Sequence, residues 1–278
     1  MTTSSSISPT AYATGYFWFR HGLSTEALVT PQGRRLGRAF GLLDRAITLG
    51  SGVSLDAMML ARHRGIDELL TRAIDSGRVQ QVIEIAAGLS PRGWSFSKRY
   101  GNAITYIETD LPAMAATKAG MLQNAGLLSP QHRVATLDAL ADSGPNSLAA
   151  IAATLNPNLG TAIITEGLMN YLDPAAAQGV WRRIGTTLAG FRHGVYLADI
   201  YPQKRVITPA LVVLGLLLTV FVRGRMHLHF NTEAEAIARM QASGFSKVEV
   251  HAPANLESTR SLGRTKGGNR VRVLEAST

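Results

Sequence analysis

Cysteine is absent from all 278 positions, and with it go disulfides, thiolate metal sites and thiol nucleophiles. Long apolar runs are missing too. The best candidate, residues 209–222 (PALVVLGLLLTVFV), is fourteen residues long and falls short of the ~20 that a membrane-spanning helix needs. Lys204 and Arg205 before it, with Arg223 and Arg225 after it, would suit an interfacial segment. A buried or lid helix, inserted at about 202–231, is nevertheless the expectation, and stable membrane insertion is not. The N-terminus lacks the basic and apolar regions of a signal peptide, so a cytoplasmic location is expected. Residues 1–10 are Ser/Thr-rich and read as disordered. The net charge is +9, but no run of five basic residues and no aromatic-interleaved basic stripe accompanies it. A generic basic surface is therefore expected, with no nucleic-acid partner. No cluster of His, Asp or Glu stands at metal-ligand spacing, so no metal is expected. Aromatics make up only 6% of the chain, yet Tyr16, Phe17, Trp18 and Phe19 are consecutive. One surface-helix face cannot take all four, so some must meet the core, the expected fate, or a ligand cleft.

What is present is a chain able to bury a large interior, with 46% apolar residues and a length suited to one large α/β domain with additions. It is organised around residues 82–93, VIEIAAGLSPRG. Val82, Ile83, Ile85 and Ala86 make a buried strand, and Gly88 marks a turn where backbone can meet a ligand directly. Ser90 can cap a following helix whose first position is Pro91. The unit has the shape of a nucleotide-binding turn with a degraded fingerprint. Ala86, Gly88 and Pro91 stand where G-x-G-x-x-G would have three glycines, which argues against a pyrophosphate in the turn.

The surrounding pattern gives that unit a context. Residues 34–45 and 55–73 read as helices joined by a loop at 50–54, and Arg62 on the second is either a snorkelling surface residue or an anion ligand. After the first strand come strands at 104–108, 133–137, 161–165 and 195–198, with a helix at 113–125. These four strands run into Asp110, Asp138, Glu166 and Asp199. Open parallel sheets bind ligands at their carboxyl ends, so four acids there point to a site. Asp110, about twenty residues beyond Gly88, is placed to accept from both ribose hydroxyls. In the tail Thr232 and Glu235 form a capping box for a helix that stops at Gly244 and Phe245. Strands at 247–251 and 271–274 follow. The chain is thus predicted to form an α/β fold, a seven-stranded mixed sheet with helices on both faces and the last strand antiparallel.

These residues resemble the leucine carboxyl methyltransferase family, and within it the O-methyltransferases of bacterial polyketide biosynthesis. The carriers are R-x-x-x-I-D at Arg62 to Asp67, E-x-x-x-G-L-x-x-R at Glu84 to Arg92, ETDLP with a downstream lysine at Glu108 to Lys118, and EGLMNYL at Glu166 to Leu172. The resemblance implies a class I Rossmann-like methyltransferase domain over residues 76–278, preceded by a helical N-terminal extension over 1–75. It implies S-adenosylmethionine as cofactor. Arg62 would bind the methionyl carboxylate and Glu166 the ammonium, with Glu84, Ala86 and the Gly88 turn along the methionyl and ribose portion. Asp110 would take the ribose hydroxyls, Leu137 and Asp138 the adenine, and Tyr171 would stand near the transferring methyl. Ala86 and Ala87 depart from the family's L-G-A-G turn, and Ser90 and Pro91 from its Asp-Thr.

The implied reaction moves a methyl group to a carboxyl or hydroxyl oxygen of a small, largely apolar molecule, polyketide-like in kind. A carboxylate acceptor needs no base, whereas a hydroxyl would be served by His193, His227, His229 or Tyr171 if these face the cleft. Two other readings stand beside this one: a nicotinamide-dependent oxidoreductase, disfavoured by the missing glycines and the lack of a Tyr-x-x-x-Lys pair, and a non-catalytic cofactor-binding protein associated with a membrane surface. The 16–19 aromatics and the 209–222 stretch are expected to fold over the strand ends as an apolar lid.

Overall fold

The computed structural model describes residues 9–206 and 226–278 of the chain. The 209–222 stretch, and with it half of the expected lid, lies outside the described residues. Three helices precede the sheet: α1 (Pro9–Arg20), α2 (Pro31–Ser51) and α3 (Leu55–Asp75). Helix α1 begins inside the segment read as disordered, with a proline at its start, where the missing amide costs nothing. Helix α2 runs further at both ends than residues 34–45. Thr30 caps its first turn and Gly52, at φ +72°, ends it, so most of the expected 50–54 loop shrinks to a tight link. Ser54 then caps α3 through the amide of Ala57.

From there strands and helices alternate: β1 (Gln81–Ile85), α4 (Arg92–Tyr100), β2 (Thr105–Asp110), α5 (Pro112–Asn124), β3 (His132–Thr136), α6 (Leu148–Ala152), β4 (Gly160–Thr165), α7 (Pro174–Leu188) and β5 (His193–Ile200). The short α8 (Gln203–Val206) precedes the residues not described. Then come α9 (Glu233–Gln241), β6 (Lys247–His251) and β7 (Arg272–Ser277). The strands form one sheet of order β3-β2-β1-β4-β5-β7-β6. β1 to β5 are parallel, and β7 is antiparallel to both β5 and β6.

Two details of the sequence reading are corrected. Helix α4 starts at Arg92, so Pro91 is its N-cap residue and not its first helical one; Ser90 Oγ accepts only the Arg92 amide, at 3.3 Å. In α9 the Thr232 hydroxyl accepts the Glu235 amide as expected, but the Glu235 carboxylate accepts from Asn231, one residue earlier than a full capping box requires.

Alternating strand residues fill two cores. On one face Val82, Tyr106, Ile164, Leu197 and Val273 pack under α3 and α4 through Ile66, Leu70 and Phe96. On the other Ile83, Ile107, Ile163, Tyr196 and Leu274 pack under α7 and α9 through Trp181, Ile184 and Met240. Sheet order reverses between β1 and β4, because the chain moves outward one way through β2 and β3 and the other way through β5. The carboxyl ends of β1 and β4 therefore part to leave a crevice, which is where open parallel sheets bind ligands.

Candidate cofactor and active site

The crevice is lined first by the turn after β1. Ala86 takes φ +54° and is the one described non-glycine residue at positive φ; Gly88 follows at +49°. Ala86 thus holds a backbone shape that favours glycine, at a cost of about 1–2 kcal/mol. The turn is pinned to the end of β2: the Ala87 amide donates to the Thr109 carbonyl and the Gly88 amide to Asp110 Oδ2, at 2.9 and 2.8 Å. Asp110 Oδ1 accepts from the Leu111 amide at 2.8 Å. Burial raises the Asp110 pKa, while the two amides and Lys118 pull it back. Each oxygen of this carboxylate keeps lone pairs for a further donor.

Helix α3 delivers a cation to the opposite side of the crevice. Arg62 Nε donates to Glu166 Oε1 at 2.9 Å, and Nη1 donates to the Tyr201 hydroxyl at 3.1 Å and to Asp199 Oδ2 at 3.5 Å. Its Nη2 has no partner among the described residues. Gly167, at φ +66°, stands beside it, and a Cβ there would come within 3.1 Å of Nη2. The Gly167 amide donates to Asp199 Oδ1 at 2.7 Å, fixing the acid that fixes the arginine.

A second, deeper arginine braces the same acids. Arg92, fully buried, donates to Asp67 Oδ1 at 2.5 Å, Glu84 Oε1 at 2.7 Å and Glu166 Oε2 at 2.6 Å. The other Glu84 oxygen accepts from the Tyr106 hydroxyl at 2.7 Å. Glu84 therefore lies behind the site with both oxygens engaged, and acts on the crevice through Arg92. Burial alone would raise the Glu166 pKa, but His63, Arg92 and Arg62 outweigh it and hold the carboxyl well below its ordinary value. His63 Nδ1 lies 2.8 Å from Glu166 Oε2 and 2.9 Å from Arg92 Nη2, and Trp18 of α1 stacks on its ring at 4.1 Å. Ala11 of the same helix would meet a Cβ added to Gly88 at 3.5 Å. Helix α1 thus crosses the cofactor turn, with Phe17 and Trp18 buried and Tyr16 and Phe19 partly so.

The remaining candidates are spread along the same edge. Leu137, just past β3, is buried, and its amide donates to the Asp110 carbonyl at 2.9 Å. Asp138 follows, its carboxylate accepting the Leu140 amide at 2.9 Å. Tyr171 ends the short turn Met169–Tyr171 and is 42% exposed, with no hydrogen-bond partner for its hydroxyl among the described residues. Crowding by protein raises its phenol pKa, Arg62 lowers it and Asp199 raises it. Of the histidines, His193 opens β5 at the far end of the sheet, away from the crevice. The other two candidates lie against the turn after β4: the His227 amide donates to the Asn170 carbonyl at 2.8 Å, and His229 Nε2 lies 2.8 Å from the Met169 carbonyl, with its Nδ1 buried and without a partner among the described residues.

Sequence reasoning left His63, Asp67 and Arg92 without roles, although all three stand inside the quoted motifs. Asp199 was visible only as a strand-end acid, and Tyr201 only as its neighbour. Glu249, His251 and Glu275 bring three potential metal-ligand atoms within 4.8 Å of one another, because Glu249 and Glu275 are cross-strand partners, a relation that linear spacing does not show. Lys247 and Arg78 occupy the remaining carboxylate oxygens, at 2.7 and 2.9 Å, so the cluster is neutralised by the chain itself.

The family described as Leucine carboxyl methyltransferase matches residues 25–185, more than half of the chain. The chain belongs to this family. As a leucine carboxyl methyltransferase family member it is 37% identical over 116 residues to a Mycobacterium bovis protein provisionally named an S-adenosyl-L-methionine-dependent methyltransferase, covering 42% of this chain and 36% of that one. A Frankia alni protein with the same provisional name is 33% identical over 144 residues, half of each chain. The chain thus matches half or less of the length of these relatives. Among solved structures, a DUF574 family protein from Streptomyces avermitilis superimposes over 96% of each chain with a TM-score of 0.64 at 14% identity. A methyltransferase, again provisionally named, from Thermobifida fusca gives 0.62 at 13% identity over 90% and 91%. The fold is that of class I methyltransferases, and the cofactor indicated by the family and its named relatives is S-adenosylmethionine.

Proposed function

We propose that the chain is an S-adenosylmethionine-dependent methyltransferase acting on a carboxyl or hydroxyl oxygen of a small, largely apolar, polyketide-like molecule in the cytoplasm. The observation that carries this reading is the joined pair of Arg62 and Glu166 at the crevice. An amino-acid head group needs a cation for its carboxylate and an anion for its ammonium at one place, and a nicotinamide cofactor has no such group. Arg62 would hold the carboxylate through Nη2, beside the space that Gly167 leaves open. Glu166 would face the ammonium, Asp110 the ribose hydroxyls, and Leu137 with Asp138 the adenine. The donor set fits the cofactor.

When bound, S-adenosylmethionine supplies an electrophilic methyl on a sulfonium. The chain's own contribution is positioning, the main demand of an in-line displacement. Arg92 holds Glu166 in place from below, and Asp199 holds Arg62 from the side. Tyr171, whose hydroxyl has no partner among the described residues, would stand at the edge of the cluster where an acceptor enters. For a hydroxyl acceptor, His229 carries a lone pair on Nδ1 whenever a neutral ring donates from Nε2 to Met169, and burial lowers its pKa, favouring the neutral ring.

Calorimetric titration with S-adenosylmethionine, S-adenosylhomocysteine and a nicotinamide dinucleotide tests the cofactor, and methyl transfer to a panel of small carboxylic acids and phenols tests the acceptor. Binding of the first two ligands alone is expected. Arg62→Ala and Asp110→Ala should each weaken it roughly ten- to a hundredfold, the worth of a hydrogen bond to a charged group. Binding of the dinucleotide, or unchanged affinity in both variants, would overturn the reading.

A further inference from the structure

Helix α2 has two long faces with opposite properties. One is closed: Gly33, Gly37 and Gly41 are buried, and a Cβ added at the first two would strike Tyr12 and Tyr16 of α1. Asp44, the helix's only acid, is buried near this face and accepts the Leu55 amide at the start of α3, at 2.6 Å. A second face, about 120° around the helix from the glycines, carries Arg35, Arg38, Leu42, Arg45 and Leu49, all exposed. At 3.6 residues per turn they fall within an arc of about 80° and run for about 21 Å along the helix. Leu42 is 67% exposed and Leu49 89%, which makes them the two most exposed large apolar residues described. None of the three arginines has an ion-pair partner among the described residues, and Asp44, turned inward, adds no negative charge to the stripe.

From this we infer that α2 is a membrane-surface contact, lying on a bilayer that carries anionic headgroups. Two leucines set among three arginines on one helix face, on a chain of net charge +9, complement an anionic surface: guanidinium groups reach phosphates while the leucines enter the headgroup boundary. A protein partner would have to supply both an acidic counter-surface and two leucine pockets at fixed spacing, whereas a bilayer supplies both without register. The glycine face locks α2 to α1, so the contact would hold the whole domain at the surface without insertion.

Co-sedimentation with vesicles decides this, using phosphatidylcholine alone and phosphatidylcholine with one third phosphatidylglycerol, at low and high salt. The full chain should sediment with the anionic vesicles at low salt, at least about tenfold more strongly than with the neutral ones, and high salt should release it. Replacing Arg35, Arg38 and Arg45 by Gln should weaken the association about a hundredfold, and Leu42→Glu with Leu49→Glu should weaken it by at least about tenfold. Titration with S-adenosylhomocysteine reports that these variants keep the folded crevice. No sedimentation of the unaltered chain, equal sedimentation with neutral vesicles, or unchanged binding in both variants would overturn the inference, the last by moving the contact to another segment such as residues 207–225. A dimer of the unaltered chain that the leucine variant dissolves would overturn it too, by making a second copy the occupant.

Discussion

Glu84 and Glu108 are register partners on β1 and β2, lie on one face of the sheet, and are both sealed from solvent. They do different things. Consecutive residues of α4 meet them: Arg92 donates to Glu84, and Gly93 lies against Glu108, whose Cδ would strike any Cβ there. Through Arg92 the charge of Glu84 is linked to Asp67 and Glu166, and from Glu166 to Arg62 at the crevice. Glu108 is closed off instead, accepting from Lys118 Nζ at 2.6 Å, with His132 Nε2 at 2.9 Å, and all three residues are 1% exposed or less. Buried charge by itself therefore does not mark a site. What makes a candidate is a chain of buried charges ending on a group with an edge unpaired among the described residues at the strand ends, as Arg62 has.

The sharpest way to break this comparison is to remove each cluster's central cation. Arg92→Met leaves three carboxylates short of a buried partner and should destabilise the fold by about 3–5 kcal/mol. Lys118→Met leaves Glu108 one remaining partner, His132 Nε2 at 2.9 Å, so its cost should be smaller, about 1–3 kcal/mol. Urea unfolding monitored by circular dichroism gives both numbers. Cofactor titration then separates the roles: Arg92→Met should also weaken S-adenosylhomocysteine binding, and Lys118→Met should not. If Lys118→Met weakened binding as much, the two clusters would be one site.

A smaller effect, with a definite sign, comes from pH. Glu166 is held well below its ordinary carboxyl value of 4.5, so its charge stabilises the fold fully above that value. The contribution is lost as pH falls through the lower, folded-state value. Glu166→Gln removes that titration. The variant should be less stable than the unaltered chain by about 1.5–3 kcal/mol at neutral pH, the range for hydrogen bonds to charged groups, and the gap should begin to close only below about pH 4.5. A gap constant down to acid pH would mean that Glu166 is held by shape and not by its charge.

How far the sequence spoke can be judged from the same residues. Strand positions were legible because Val82, Ile83 and Ile85, or Ala162, Ile163 and Ile164, put apolar residues on both faces of a short segment, as doubly covered strands do, with only Glu84 and the flanking threonines breaking the pattern. The antiparallel end of the sheet followed from the tail's two short strands. Among the candidate site residues, Asp110 and Glu166 were readable from position alone, Asp110 ending β2 and Glu166 directly following β4. Arg92 was not, because its partners Asp67, Glu84 and Glu166 are scattered over a hundred positions and meet only when α3, β1 and β4 pack. Ala86 hid its conformation, since nothing about an alanine announces a positive φ. The N-terminal aromatics were expected both in the core and over the strand ends, and α1 does both, burying Phe17 and Trp18 while Ala11 lies against Gly88.

The smallest expected effect belongs to Tyr171, and it tests whether the outer end of the charge chain is functional at all. Its hydroxyl has no hydrogen-bond partner among the described residues and its side chain is 42% exposed, so Tyr171→Phe removes neither packing nor a satisfied bond. Stability should change by less than about 0.5 kcal/mol, as for a surface substitution, and S-adenosylhomocysteine affinity should stay the same, because Arg62 keeps Glu166, Asp199 and Tyr201. Turnover should fall while cofactor KM is unchanged, if the free hydroxyl orients the acceptor as proposed. A variant as fast as the unaltered chain on every accepted substrate would show that the crevice ends at Arg62 and that acceptor positioning lies with the residues of α1 or with those outside the described chain. A variant that instead lost cofactor affinity would place the Tyr171 hydroxyl against the methionyl group, extending the charge chain one residue further than the hydrogen bonds of Arg62 carry it.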